Sequence, residues 1–312
     1  MANSHPLGEG RQIGSRNRID FRSRWGRDQI AFLAFVAPAL IWFLVWMLWP
    51  LINMFSISTL KWESLVQKSQ FTGLANYARL LADPHILHAV QNTAIHILVA
   101  LPGVMFPAFV VGFFLSLRLP GYRLLRLIFF SPAMISVAAL AMMFFGVYMP
   151  DGILNSILRL VGLGALTRSW LANPSTVLGS IIFLDLWGGI GFYSVLFFAY
   201  LSNMPSELYE AARLDGASLW TIQWCIAFPL SRNFFGVASM LHFLWLLTGS
   251  AQNVLILTRG GPGDYSLTLG YYLYDQAFIT QRLGYSQAIG VVLFAVGILG
   301  LVLIRGAFRP AE

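Results

Sequence analysis

Cysteine is almost missing: Cys225 stands alone among 312 residues. An intrachain disulfide and a cysteine-rich metal site are excluded, and Cys225 reads as a small buried hydrophobe. Lysine is nearly as scarce. Lys61 and Lys68 are the only ones, and neither sits in the Gly-x-x-x-x-Gly-Lys-Ser/Thr frame that cradles phosphates, so the chain is not a conventional P-loop ATPase. The five histidines (His5, His85, His88, His96 and His242) show no metalloprotease spacing, and His85 and His88 read as part of a solvated membrane entry. No nucleophile–base pair stands at a telling distance, which leaves a membrane enzyme with little support. Arginine supplies all the other basic residues, yet no basic stripe alternates with stacking aromatics, so nucleic acid is not an expected partner.

Charge of either sign is also thin. Charged residues make up 11% of the chain, whereas soluble domains carry about 25%. What fills the space is apolar: 57% hydrophobic residues and a mean hydropathy of +0.69. This is the composition of a polytopic membrane protein. Crossing about 30 Å of hydrocarbon takes roughly 20 apolar residues, and six runs qualify. They lie near Ile30–Ile52, Val90–Leu117, Leu124–Tyr148, Val177–Leu201, Phe234–Leu257 and Ala288–Ile304. Helices are expected, because an open sheet leaves its backbone unsatisfied in lipid. Pro38, Pro102, Pro107 and Pro132 fall within spans, where kinks are expected.

Lys/Arg asymmetry sets the expected orientation. Residues 1–28 form a polar tail with six arginines and no signal-like apolar core, so the first run is read as a retained anchor. With that tail in the cytoplasm, thirteen basic residues lie inside and seven outside. The expected plan is an N-terminal cytoplasmic tail (1–28), a membrane domain (29–306) and a short cytoplasmic tail (307–312). Three outer loops, near 56–88, 149–176 and 258–287, hold short amphipathic pieces. These either lie in the interface, anchored by Trp62, Tyr77 and Trp170, or dock something outside.

One cytoplasmic segment is polar between two apolar runs: "NMPSELYEAARLDGASLWTIQWCIAFPL". Pro205 suits a first helical turn, and Glu207 and Glu210 favour the positive end of the helix dipole. Gly216 is a natural stop, and Ser218 can cap a second helix running to Pro229. The expectation is two short helices meeting at a glycine corner. Ala211 and Ala212 would offer a small-residue face, and Trp220 and Trp224 would share a face at i, i+4. By physics alone such a hairpin either links two spans or docks a partner.

The spacing adds more. Glu210-Ala211-Ala212, then Asp215-Gly216, then Ile226 and Phe228-Pro229, resembles the "EAA" loop of ABC-importer permeases, which usually have Leu where this chain has Phe228. "FTGLANYARLLADPHILHAVQNT" is similar to the segment before the second span of carbohydrate-uptake permeases. "LTRGGPGDYSLTLGYYLYDQAF" resembles the Gly-Gly-Pro stretch before their last span. The combination looks most like the maltose-transporter F-type and glycerol-phosphate A-type permeases. That resemblance implies an all-α, six-span type I importer permease with both termini cytoplasmic. It implies a second, homologous permease in a heterodimer, a cytoplasmic ATPase dimer that binds ATP and Mg, and an external substrate-binding protein. It implies no cofactor in this chain and no catalysis by it. Glu207, Glu210, Ala211, Ala212, Asp215, Gly216, Ile226 and Pro229 would form the ATPase-docking loop.

Asp185 is the one acid inside a span, at a cost of at least ~2.5–3.5 kcal/mol, and so marks a candidate site. It either accepts hydrogen bonds from substrate hydroxyls or makes a structural contact to a neighbouring helix. Gly189 and Phe192 follow on its face, with Tyr193 adjacent. On the fifth span, His242, Gly249 and Asn253 fall on one stripe, with Ser250 and Gln252 nearby. Such stripes serve helix association as well as ligands. The expected substrate path is Asp185, Gly189, Phe192, Tyr193, His242, Ser250 and Asn253. A self-sufficient secondary transporter or channel is the alternative, for which a single intramembrane acid is thin support.

Overall fold

The computed structural model describes residues 21–64, 66 and 68–309. The expected tail 1–28 lies largely outside these residues. The structure is helical apart from one two-residue ladder, β1 (Leu60–Lys61) against β2 (Gln70–Phe71), antiparallel with Leu60 opposite Phe71. The described residues up to Asn53 and those from Met54 onward form separate compact units. Helix α1 runs from Phe21 to Phe43 and continues through a π-turn at Leu44–Leu48 into Trp49–Ser58, whose last residues, from Met54, belong to the second unit.

In the second unit, α2 (Ala75–Ala82) leads into the long α3 (Pro84–Ser116). Asp83 caps α3, accepting the His85 N–H at 3.0 Å, with Pro84 at the first helical position, where its missing donor costs nothing. Pro102 and Pro107 sit inside α3 without ending it. Next come α4 (Tyr122–Phe130), a 3₁₀ turn (Ser131–Met134), α5 (Val137–Tyr148) and α6 (Ile153–Leu160). Then follow α7 (Val177–Leu201), α8 (Ser206–Leu214) and α9, which spans Leu219–Leu257. The chain ends with α10 (Leu269–Tyr274, prolonged by a π-turn at Asp275–Ile279) and α11 (Leu283–Ala307).

Among the described residues, six stretches are long and apolar enough to cross a membrane. Two departures from the sequence reading have clear causes. The expected third span, 124–148, is two helices rather than one, because Pro132 cannot donate to the helical ladder and Ile135 turns extended. It still tracks α7 from end to end. Arg126 lies over Phe198, the Phe129 carbonyl approaches Gly191 where no Cβ could fit, and Tyr148 Oη donates to the Ser180 carbonyl at 2.9 Å. By contrast α6, though apolar enough to be counted with α5, lies beyond a turn at Gly152 and is a separate amphipathic piece.

The second departure is at Pro229, which does not end its helix. A π-turn at Gln223–Ala227 widens the ladder, and the Phe228 N–H reaches back to the Gln223 carbonyl. The helix continues through Phe228–Leu244, a further π-turn at Trp245–Gly249 and Ala251–Leu257. The second half of the polar segment is therefore continuous with the fifth span.

The core has two large apolar clusters, one toward each end of the bundle, and a small third one of Ala100, Ile182 and Leu246. One large cluster gathers Ile86, Leu140, Phe144, Ile181, Leu257 and Tyr285; the other Phe109, Phe113, Phe197, Leu201, Ile222 and Phe235. Along α3 and α7 the numbering rises from the first cluster to the second, so these two helices run parallel. Along α9 it falls, and α11 returns from Tyr285 to Phe308, which packs on Phe235. Arg232 Nη2 donates to the Ala307 carbonyl at 2.8 Å, so α11 ends on the same side as the α8 hairpin.

Candidate functional site

The hairpin is built as the local chemistry requires. Pro205 stands at the N-cap position, one residue before α8, and Glu207 lies in the first turn. At the other end Gly216 takes φ +80°, a left-handed backbone favoured by glycine, and the Ala217 N–H closes back onto the Ala212 carbonyl at 2.9 Å. Ser218 Oγ then accepts the Thr221 N–H at 3.1 Å and starts α9. The corner expected from sequence is present.

Its two alanines part company. Ala211 is exposed, but Ala212 turns inward beside Phe113 and Leu201, because successive helical residues step about 100° apart. The free face of α8 is instead Glu207, Leu208, Glu210, Ala211, Leu214 and Asp215, with Leu214 89% exposed. None of these three carboxylates has an ion-pair partner among the described residues. Pro229 and Cys225 are also exposed, so Cys225 is not the buried residue expected; Ile226 is half-buried. Trp220 and Trp224 do share a face, with ring centroids 5.8 Å apart.

Beneath the hairpin lies an aromatic cluster that sequence spacing did not reveal. Trp224 and Phe228 of α9 pack on Phe109 of α3 at 5.7 and 5.6 Å, and Phe109 meets Phe197 of α7 and Phe235 of α9. On α8, Tyr209 stacks edge-on to Phe113 at 6.2 Å. The hairpin is thereby held to three membrane helices by close-packed rings, whose edge-to-face geometry favours a single arrangement.

The second candidate is a polar layer between the two apolar clusters. Asp185 of α7 lies 2.8 Å from His96 Nε2 of α3 and accepts a hydrogen bond from Asn253 Nδ2 of α9 at 2.7 Å. His242 of α9 packs edge-on to Tyr193 of α7, with centroids 4.9 Å apart. Gly189 makes the room: a Cβ there would come 2.9 Å from Val104 and 3.4 Å from His242 Cε1. Asp185, His96, Asn253 and His242 are each at most 5% accessible, so the layer is closed in this conformation.

Five of the expected path residues therefore meet: Asp185, Gly189, Tyr193, His242 and Asn253. Phe192 is 46% exposed and stands at the edge of the layer, its ring edge-on to Tyr193 with centroids 5.1 Å apart. Ser250 spends its hydroxyl on the Leu246 carbonyl of its own helix at 2.7 Å. Gln252, mentioned beside them, is exposed. His96 completes the layer and was missed. Its signal is a lone imidazole within the apolar run of α3, about two to three turns past the His85–His88 pair. Beside the layer an open cleft of about 570 Å³ runs between α3 and α7, lined by Ile95, Val99, Leu178, Ile182 and Leu186, with Asn92 and Tyr265 also on its wall.

The end opposite the hairpin is tied by side chains rather than by a helical corner. Asp83 accepts from Tyr272 Oη at 2.6 Å and from Tyr285 Oη, and His85 pairs with Asp264. Asn92 Nδ2 donates to the carbonyls of Asp264 and Leu267 at 2.8 and 2.9 Å, pinning the "TRGGPGD" turn to α3. Burial pushes the Asp83 carboxyl up, but bonds from Tyr272, Tyr285 and the His85 N–H together outweigh it and hold the group below its usual value.

Comparison with known proteins places these features. Residues 103–311 match the family model described as the binding-protein-dependent transport system inner membrane component. The probable ABC transporter permease protein YurN of Bacillus subtilis (strain 168) is 33% identical over 86% of this chain and 93% of its own. The diacetylchitobiose uptake system permease protein NgcF of Streptomyces coelicolor is 28% identical over 88% of this chain and 80% of its own. Among solved structures, a chain of a bacterial alginate ABC transporter, crystallised with an alginate pentasaccharide-bound periplasmic protein, superposes with a TM-score of 0.80. It covers 93% of this chain and 97% of that one at 20% identity, and so shares the fold. With six apolar spans, a family match over most of the membrane domain and a relative one-third identical along nearly its whole length, the chain belongs to the inner membrane components of binding-protein-dependent transport systems, the ABC transporter permeases.

Proposed function

We propose that this chain is one permease subunit of an ATP-driven importer for a carbohydrate or related polyol. It would pair with a second, homologous permease and receive substrate from an external binding protein. A cytoplasmic ATPase dimer would bind ATP and Mg, and both ends of this chain would lie in the cytoplasm. The observation that carries this reading is the free face of α8. Glu207, Glu210 and Asp215 are exposed beside Leu214, without an ion-pair partner among the described residues, on a helix capped at Pro205 and closed at Gly216. Three unpaired carboxylates around an exposed leucine suit a basic, partly apolar cleft on another subunit. The missing P-loop supports the same division of labour.

The sugar class rests on the relatives: NgcF is named for diacetylchitobiose uptake, and the solved neighbour is an alginate transporter. Polar groups suited to hydroxyls are present in the closed layer, where Asp185 supplies two acceptor oxygens and His96, His242 and Asn253 supply nitrogen donors or acceptors. In this conformation Asp185 lies against His96 and Asn253, and the His242 ring packs on Tyr193. A substrate would take their place when α3, α7 and α9 part.

The test is co-expression with the neighbouring transporter genes, followed by purification and uptake assays. Glu210→Lys is expected to lose both the ATPase subunit and uptake. Recovery of the chain without any ATPase, together with normal uptake by Glu210→Lys, would overturn the reading.

A further inference from the structure

The corner between α3 and α4 gathers three arginines and no acid. Arg118 follows the end of α3 with φ +50°, and the Pro120–Gly121 turn brings α4 back beside it. Arg123 Nε donates to Tyr122 Oη at 3.5 Å, and the guanidinium of Arg126 lies 5.1 Å from the Phe198 ring centre. Arg123 and Arg126 lie about one turn apart on α4, and Arg118 stands four residues before its first residue, so the three cations share one corner. None has a carboxylate partner among the described residues. Arg232, by contrast, is spent on the Ala307 carbonyl.

The same short helix is apolar just below this cluster. Leu124, Leu127 and Ile128 are 63%, 62% and 55% exposed, and α4 meets α7 through its other side, at Phe129 and Arg126. Arg123 and Leu127 are four residues apart, one turn above the other on the outward face. In a membrane protein that outward leucine surface meets acyl chains. The anion that arrives already joined to acyl chains is a phospholipid headgroup, and guanidinium forks match its phosphate.

We propose that Arg118 and Arg123, with Arg126 adding its charge from the α7 side of the same corner, form a binding site for the phosphate of an anionic phospholipid, whose acyl chains run down Leu124, Leu127 and Ile128. The site depends only on the chain being membrane-embedded. It stands or falls separately from the ATPase and sugar assignments.

The experiment is native mass spectrometry of the purified complex after equilibration with an equal mixture of phosphatidylglycerol and phosphatidylcholine. Wild type is expected to retain phosphatidylglycerol preferentially. Arg123→Gln/Arg126→Gln is expected to lower that preference about thirtyfold, since each of the two basic residues near a membrane surface contributes on the order of 1 kcal/mol. Arg305→Gln should leave it unchanged, and Arg123→Lys/Arg126→Lys should keep most of it, which separates lost charge from lost fold. Three results would overturn the proposal: an unchanged preference in the Gln pair, displacement of the lipid by millimolar inorganic phosphate alone, or cross-linking of position 123 to a carboxylate of a neighbouring subunit.

Discussion

Asp185 shows how one buried charge is kept in an apolar bundle. Its oxygens are met by His96 from α3 and Asn253 from α9, so a single carboxylate ties three helices. Removing one partner of a buried pair leaves the other uncompensated, at about 3–5 kcal/mol in soluble proteins. His96→Ala is therefore expected to lower the thermal midpoint in detergent. His96→Ala/Asp185→Ala should cost clearly less than the two single changes added, since the double variant leaves no orphan. Strict additivity would show that the two side chains are not coupled. Asp83 behaves differently because it is partly wet. Its folded pKa is depressed, so its contribution is present at neutral pH, above the unfolded value of about 3.9, and fades as pH falls through the lower folded value. Wild type and Asp83→Asn should differ in melting temperature at pH 7 and converge only once the pH is below the depressed folded value, well under about pH 4; a gap that persists in stronger acid would rule out the carboxylate as its source.

At the scale of elements, the hairpin is a rigid corner rather than a flexible link. Gly216 at φ +80° is the position where a side chain is most strained. Gly216→Val is expected to destabilise the corner by roughly 1–2 kcal/mol and to reduce uptake. Limited proteolysis near residue 216 should quicken in step; unchanged cleavage and uptake would mean the corner bears no load. The π-turn at Gln223–Ala227 has the complementary task. It lets a helix pass Pro229 unbroken, so α8 acts on a lever that is continuous with the fifth span.

At the scale of the whole molecule, the aromatic cluster around Phe109 joins that lever to α3 and α7, and the closed polar layer lies one cluster further along the same three helices. This continuity predicts that movement of the hairpin and opening of the layer are coupled. Trp224→Ala removes a large ring from this joint while leaving the exposed carboxylates of α8 untouched. The complex is expected to keep its ATPase subunit but transport more slowly per ATP hydrolysed, which measurement of uptake and hydrolysis on the same vesicles would detect. An unaltered ratio would place the coupling elsewhere.

Sequence by itself determined the membrane class, six spans and the helix–glycine–helix corner. These follow from local quantities: run length against bilayer thickness, the conformational freedom of glycine, and the capping chemistry of Ser218. It also singled out Asp185, because one acid in an apolar run stands out whatever surrounds it. Tertiary structure alone decided the rest. Which of Ala211 and Ala212 faces out depends on where α8 lies on its neighbours. Whether Pro229 ends a helix depends on a register shift of one residue at Gln223. That His96 meets Asp185, 89 positions later in the chain, depends on α3 and α7 running parallel, which no local pattern encodes. Long-range pairing is set by the packing of whole helices, so the partners of a buried charge are legible only once those helices are in place.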